Sequence, residues 1–480
     1  MKNLITAHLI ILLTVFSSLS QWQSDLRLTN YAGSSITTHG KCIASENSYL
    51  HTAWCDNRDG NYEIYYKRST DNGQTWSSDQ RLTSNSAAST EPCISSYGSN
   101  VHILFNDERS GYFEIYYMRS TNNGTNWSTA IRVSDDDTYH SYSAYIYATN
   151  YIYAAWLDEY FGDLDIYYSR SSNNGYNWSA PVSLTNGNLA QKYPAISSSG
   201  SNVHIVYEDE RASLTNTEIY YRRSTNSGVN WDAEIRLTNN SAQSWNPHIT
   251  SEGNAVYVVF DDDRTGNHEI YFKRSTNNGI NWSSDAILTI NSASSGSPAI
   301  SVSGIYTHIV WGDSRDGNSE IYYKFSTNSG SSWGSDTRLT NNSGESRGAN
   351  VCLSGNVVNV LWYDDRNGNN EIYYKRNPTG NPTGIEIISS EIPERFSLSQ
   401  NFPNPFNPTT NFEFTVPNRG FVNVTIFDAM GRVVETLVNE ELKPGTYEAE
   451  WRASKFSSGV YFYKLTSGDF SETKRMVMIK

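Results

Sequence analysis

Apolar and polar residues alternate along most of the chain, and the alternation is interrupted at regular intervals by Gly, Asn and Asp. That pattern predicts short strands joined by tight turns, and no stretch carries the period of a helix. One strand recurs. Glu63-Ile64-Tyr65-Tyr66 returns with its acid at Glu114, Asp165, Glu218, Glu269, Glu320 and Glu371, at steps of 51, 51, 53, 51, 51 and 51 residues. A fixed step of this size marks an array of one supersecondary unit. Each unit opens on a segment such as Pro194-Ala195-Ile196, turns, and continues as an apolar run such as Val203-His204-Ile205-Val206-Tyr207. Asp-x-Arg, a tight turn and the Glu-Ile-Tyr-Tyr strand follow. A turn with Gly and Trp then leads to a last short strand such as Ile235-Arg236-Leu237-Thr238. Four short antiparallel strands per unit are expected.

The ends of the array suggest how it closes. The seventh unit stops at Arg376 without a fourth strand, while Leu26-Arg27-Leu28-Thr29 is a fourth strand with no unit before it. If the early strand completes the last unit, the sheets form a ring with no open edge. The expected fold is all-β: a seven-bladed β-propeller, its blade 7 closed by the N-terminal strand, followed by a small Ig-like β-sandwich. The expected segments are a signal peptide over 1–20, the propeller over 21–376, a Pro/Gly-rich linker over 377–395 and a C-terminal domain over 396–480.

Between the third and fourth strands lies Ser69-Thr70-Asp71-Asn72-Gly73-Gln74-Thr75-Trp76, and five further copies end in Trp127, Trp178, Trp231, Trp282 and Trp333. A side-chain oxygen at Asp71 bonds backbone N–H groups of its own turn, Gly73 takes a left-handed conformation, and Trp packs on the blade. This pattern resembles the Asp-box, or bacterial neuraminidase repeat, of sialidase-type propellers. The resemblance covers about residues 25–376, with Asn122, Asn173, Asn226, Asn277 and Asn328 in place of Asp. It implies the fold, with a functional face opposite the Asp-box face. That repeat occurs in hydrolases, lyases and binding proteins alike.

A ring of Asp-x-Arg arginines could clamp a carboxylate. The spacing favours a structural role. In most units Arg lies five residues before the Glu of the recurrent strand, predicting the hairpin pairs Arg58–Glu63, Arg109–Glu114, Arg264–Glu269, Arg315–Glu320 and Arg366–Glu371. The third unit has Tyr160 for Arg and Asp165 for Glu, so the two positions change together. The Arg-Ile-Pro segment that sialidases carry is missing, as Lys41-Cys42-Ile43 stands on the first inner strand. No catalytic residue is assigned.

A specific site is expected where the repeat symmetry breaks. The candidate ligand-binding residues are Tyr139, His140, Tyr160, Lys192, Trp245 and Arg347, and Asp135, Asp136 and Asp137 form an acidic cluster suited to Ca²⁺. No cofactor is expected, Ca²⁺ being the one ion for which a cluster of ligands exists.

Composition then sets the partners. Aromatic residues make up 13% and the net charge is −14, which disfavours nucleic acid. Lys2, the apolar run Leu4 to Phe16 and Ser17 to Ser20 read as a signal peptide, and no later segment reads as a membrane span. Cys42, Cys55, Cys93 and Cys352 read as small core residues. From Phe396 six strands follow: Asn411 to Val416, Val422 to Asp428, Arg432 to Leu437, Gly445 to Trp451, Gly459 to Thr466 and Lys474 to Ile479. Asn404-Pro405-Phe406-Asn407-Pro408, Asp428-Ala429-Met430-Gly431-Arg432, Ser458-Gly459-Val460-Tyr461 and Lys480 resemble the type IX secretion sorting domain of the Bacteroidetes group. The resemblance implies the outer-membrane secretion machinery as a partner and a secreted or cell-surface location. The expected function is an extracellular binding or interaction module for a glycan or surface protein, and a monomer. The alternative is a divergent glycoside hydrolase or lyase of the sialidase superfamily, and a purely structural surface role is a third.

Overall fold

A computed structural model describes residues 22–479 apart from 39, 136–137, 161–162, 186–189, 212–215, 356, 381–384, 390, 443 and 454–455. Among these residues every regular element is a strand, and no helix is long and apolar enough to cross a membrane. Seven antiparallel sheets built on the four-strand plan of propeller blades occupy the stretch up to Asn377, the first carrying one extra short strand. In the second sheet the strands are Ser89–Tyr97, Asn100–Asp107, Glu114–Ser120 and Ile131–Arg132. The second strand of each sheet is buried on both faces, because neighbouring sheets cover both sides of it. This explains its unbroken apolar run. The polar residues within that run are paired, as where His102 Nδ1 and Tyr117 Oη meet at 2.7 Å.

The early strand Leu26–Arg27 pairs with Glu371–Asn377, Leu26 opposite Tyr374 and Arg27 opposite Tyr373. Ile372 N donates to Thr29 Oγ1 at 2.8 Å, the bond that Ile64 N makes to Thr83 Oγ1 in the first sheet. The first sheet meets the seventh directly, Cys42 N donating to Asn350 Oδ1 at 2.9 Å.

The turns resembling Asp-boxes form joints between sheets. Ser69 Oγ accepts from Gly73 N at 2.8 Å and Asp71 Oδ1 from Thr75 N at 2.8 Å, which fixes the turn. Each Trp then packs edge-on against an aromatic of the preceding sheet: Trp127 on Tyr66 at 4.9 Å, Trp178 on Tyr117 and Trp231 on Tyr168 at 5.0 Å. Trp282 on Tyr221, Trp333 on Phe272 and Trp76 on Tyr374 continue the series at 4.9, 5.0 and 5.1 Å. The seventh unit has no such turn. Its joint with the sixth is made by Trp22, edge-on to Tyr323 at 5.0 Å.

The expected hairpin pairs are corrected by the register. Asp56 stands directly opposite Glu63, and Arg58, two residues into the turn, curls back onto Asp56 at 2.5 Å and reaches Asp79 at 2.7 Å. Arg109, Arg264, Arg315 and Arg366 likewise bind Asp107, Asp262, Asp313 and Asp364, at 2.6, 2.5, 2.5 and 2.6 Å, and not the glutamates. The glutamates look the other way, toward the fourth strand: Glu63 to Arg81, Glu320 to Arg338 and Glu371 to Arg27 at 2.9, 2.9 and 2.7 Å. Glu114 takes Ser134 Oγ at 2.5 Å, and Glu269 takes Asn291 N at 2.9 Å. Both carboxylates of each hairpin are therefore held, by different partners.

The remaining residues form two further sheets. One contains Thr409–Val416 and Gly445–Arg452, the other Gly420–Asp428, Val433–Leu442, Gly459–Ser467 and Phe470–Met478. Phe414, Ile426, Trp451, Tyr463 and Met476 belong to the shared core. Ile385–Ser389, assigned to the linker by its Pro/Gly-rich surroundings, is a strand paired with Gly445–Arg452. The four cysteines are buried and free.

Candidate functional site

The first strand of each sheet from the second to the seventh lines the central channel, and each carries the same irregularity. In the second sheet Thr90 pairs with Asn106 and Cys93 with Leu104, so Glu91 and Pro92 together oppose one residue. That two-against-one count is a bulge, a place where a Pro costs no ladder bond. The bulge residue takes a left-handed conformation in all six: Glu91, Ser143, Tyr193, Asn246 and Ser297 have φ of 50°, 53°, 48°, 50° and 53°, and Gly348 has 64°. Non-Gly residues adopt this region at a cost, so five strained positions in register mark a shaped feature.

These six residues surround a cavity of about 410 Å³ at the channel mouth. Tyr145, His248, Arg347 and Tyr363 also line it. The bulges are held from behind by carboxylates of the preceding sheet. Ser143 N donates to Glu91 at 3.1 Å, Asn246 N to Glu208 at 2.7 Å and Ser297 N to Asp261 at 3.1 Å. Burial, with Asp261 nearby, pushes the Glu208 carboxyl up to about 8, so it is protonated near neutrality. Asp261 also accepts from Asn246 Nδ2 at 2.9 Å and pairs with His268 Nδ1 at 3.0 Å, a contact that raises the His268 pKa.

Tyr145 and His248 close the floor of the cavity. Tyr145 Oη and His248 Nε2 meet at 2.8 Å, although 103 residues separate them. His248 Nδ1 accepts from Ile300 N at 3.4 Å, which places the ring proton on Nε2, facing the Tyr145 oxygen. Burial, with Lys41 nearby, holds the His248 pKa at about 3, so the ring is neutral.

Of the sequence candidates, Arg347 lines the cavity, half-exposed and 3.3 Å from Glu345. Lys192 pairs with Glu210 at 2.6 Å, and Trp245 stacks on His268 at 4.5 Å, each one residue before the bulge residue that lines the cavity. His140 accepts from Phe113 N at 3.0 Å and packs on Tyr112, and Tyr139 is half-buried. The side chain of Tyr160 and all of Asp136 and Asp137 lie outside the described residues, and Asp135 is exposed. Among the described residues no group of His, Cys, Asp and Glu is placed to hold a metal ion. Sequence reasoning passed over Ser143 and Asn246. Their signal is the residue just before the recurrent Pro or Ala of the first strand.

Residues 400–480 match the family described as the secretion system C-terminal sorting domain. The chain is therefore exported by the type IX route of the Bacteroidetes to the cell surface or medium. No curated protein matches the sequence closely enough to count as a relative. Among solved structures, the polysaccharide lyase Uly1 is similar at 11% identity with a TM-score of 0.51, covering 73% of this chain and 92% of that one. A protein of unknown function from Dyadobacter fermentans DSM 18053 aligns at 13% identity and a TM-score of 0.49, over 74% and 98% of the two chains. The endosialidase of phage phi92 aligns at 10% identity and 0.48, over 80% and 72%. The likeness to the lyase is one of fold.

Proposed function

We propose that the chain is an exported glycan-binding module, its ligand held at the channel mouth. The reading takes 1–20 as the signal peptide, 21–376 as a seven-bladed propeller closed by its N-terminal strand, and 396–480 as an Ig-like sorting domain whose sheet the strand Ile385–Ser389 joins. One observation carries it: six bulges in register set Tyr193, Asn246, Ser143 and their counterparts around one cavity, with Tyr363 and Arg347 on the same wall. Aromatic faces with amides and hydroxyls are the groups that stack on sugar rings and bond their hydroxyls. The ring of turn arginines offers no clamp, because each is consumed by a buried Asp. A glycan array probed with the full chain, scored for retention and cleavage, tests the reading. Retention, weakened about tenfold by Tyr193→Ala, is expected for one lost stacking contact of about 1.4 kcal/mol. A blank array would transfer the role to a protein partner or a structural one.

A second reading, a glycoside hydrolase or lyase, is favoured by Glu208, a carboxyl group kept protonated as a general acid requires. It ranks lower because Glu208 is 2% exposed and its carboxyl already holds the Asn246 bulge. Cleavage on the array, abolished by Glu208→Gln, would promote it.

A further inference from the structure

Beneath the Tyr145–His248 contact lies a second cavity of about 260 Å³, walled by Lys41, Tyr147, Thr250 and Glu252 among others. Lys41 reaches it through an insertion. Ser35 Oγ donates to Asp56 across 21 residues, whereas the same bond spans 18 residues in the second, fifth, sixth and seventh sheets. The three extra residues replace the bulge of the other sheets. Cys42 O accepts from Ala53 N, so Cys42 holds the ladder place that Cys93 holds opposite Leu104. The position before it is Pro92, Ala144, Pro194, Pro247, Pro298 or Ala349 in the other sheets, and Lys41 here.

The ring therefore presents one primary amine to its lumen, with no other Lys or Arg on the described wall. Elsewhere in the ring, lysines are paired: Lys67, Lys273, Lys324 and Lys375 each have an Asp at 2.7, 2.7, 2.9 and 2.9 Å. Lys41 makes no ion pair or side-chain hydrogen bond with a described residue, and its closest aromatic face is Tyr147, 6.0 Å away. Glu252, the carboxylate on the same wall, accepts from Gly304 N at 2.8 Å. Lys41 is half-buried and forms no ion pair with Glu252, so an anion that enters the cavity supplies the close partner its ammonium lacks.

We propose that this lumen binds a single small oxyanion, a carboxylate, phosphate or sulfate group, on Lys41, with the hydroxyls of Tyr147 and Thr250 as further donors. Burial pulls the Lys41 pKa below that of an ordinary lysine, and an anion in the cavity raises it again, so affinity falls as pH rises. The site stands apart from the glycan pocket above it.

The test is a thermal melt of the full chain titrated with sodium phosphate, and separately with sodium acetate, against sodium chloride at matched ionic strength. Wild type is expected to show a saturable rise of several degrees with one of the two, absent from Lys41→Met. Saturation by phosphate alone points to an inorganic oxyanion, and by acetate to a carboxylate-bearing ligand. Equal responses of the two proteins, or none, overturn the proposal. If Lys41→Met fails to fold, a selenate-soaked crystal of the wild type decides. An anomalous peak within hydrogen-bonding distance of Lys41 Nζ supports the site, and a lumen without one rejects it. Glycan retention by Lys41→Met at the wild-type level keeps the two sites distinct. A blank array with the saturable melt intact would sink the glycan reading alone.

Discussion

Glu208 and the buried histidines pull stability in opposite directions with pH. The Glu208 pKa is raised above its unfolded value to about 8, so its stabilising contribution is whole below about pH 4.5 and lost as pH rises through 8. His51, His102 and His204 are held near 3 by burial, each against a Tyr hydroxyl. Their neutral rings contribute fully above about pH 6.5, and that contribution is lost on acidification toward 3. Glu208→Gln removes the first effect. Melting temperatures from pH 5 to 9 should show wild type falling relative to the variant, and parallel curves would exclude the raised pKa. At this scale the sequence was least legible. A five-residue spacing suggested Arg–Glu pairs, but the side chain of Arg58 turns back on itself, a choice that depends on turn geometry and not on spacing.

In five of the hairpins, the Arg that locks the turn also reaches an acid just before the fourth strand. Arg264 joins Asp262 to Asp285, and Lys273 binds the same Asp285. Burial alone would raise the Asp262 carboxyl, but the bonds from Arg264 outweigh it and hold the group below its usual range. Arg264→Met leaves a fully buried carboxylate unpaired and should cost about 3 kcal/mol in urea unfolding. Arg347→Met, half-exposed at the cavity, should cost less than about 0.5 kcal/mol. Near-equal costs would contradict the locked hairpin. The sheet joints make a second contrast. A Cβ on Gly124 would sit 1.7 Å from Tyr66 Oη, whereas one on Gly111 would meet nothing within 4 Å. Both have positive φ, so Gly111→Ala should cost about 1–2 kcal/mol and Gly124→Ala about 1–3 kcal/mol more. Thermal unfolding of the two variants checks this. Strands and turns were legible because a repeated unit states each rule several times. The bulges were not, since Pro before an apolar run reads equally as a plain strand start.

Across the whole molecule, Trp22 takes the place of the Trp that the seventh unit lacks, so each of seven junctions has an edge-on aromatic pair. Trp22→Ala should therefore destabilise about as much as Trp127→Ala, roughly 2 kcal/mol for a half-buried indole. A silent Trp22→Ala in the same unfolding assay would show that the early segment is not needed for closure. The permuted ends foretold which strands would meet; nothing in the repeat pattern assigned Trp22, because its partner Tyr323 lies on another sheet. The closure also sets an order of events in time. Arg27 and its partner Glu371 are 344 residues apart in the chain, and at the usual pace of translation the ribosome takes about 20–70 s to travel from one to the other. For that interval the early strand Leu26–Arg27 has no mate, and the circle stays open. The last joint of the ring therefore waits until its synthesis is nearly over.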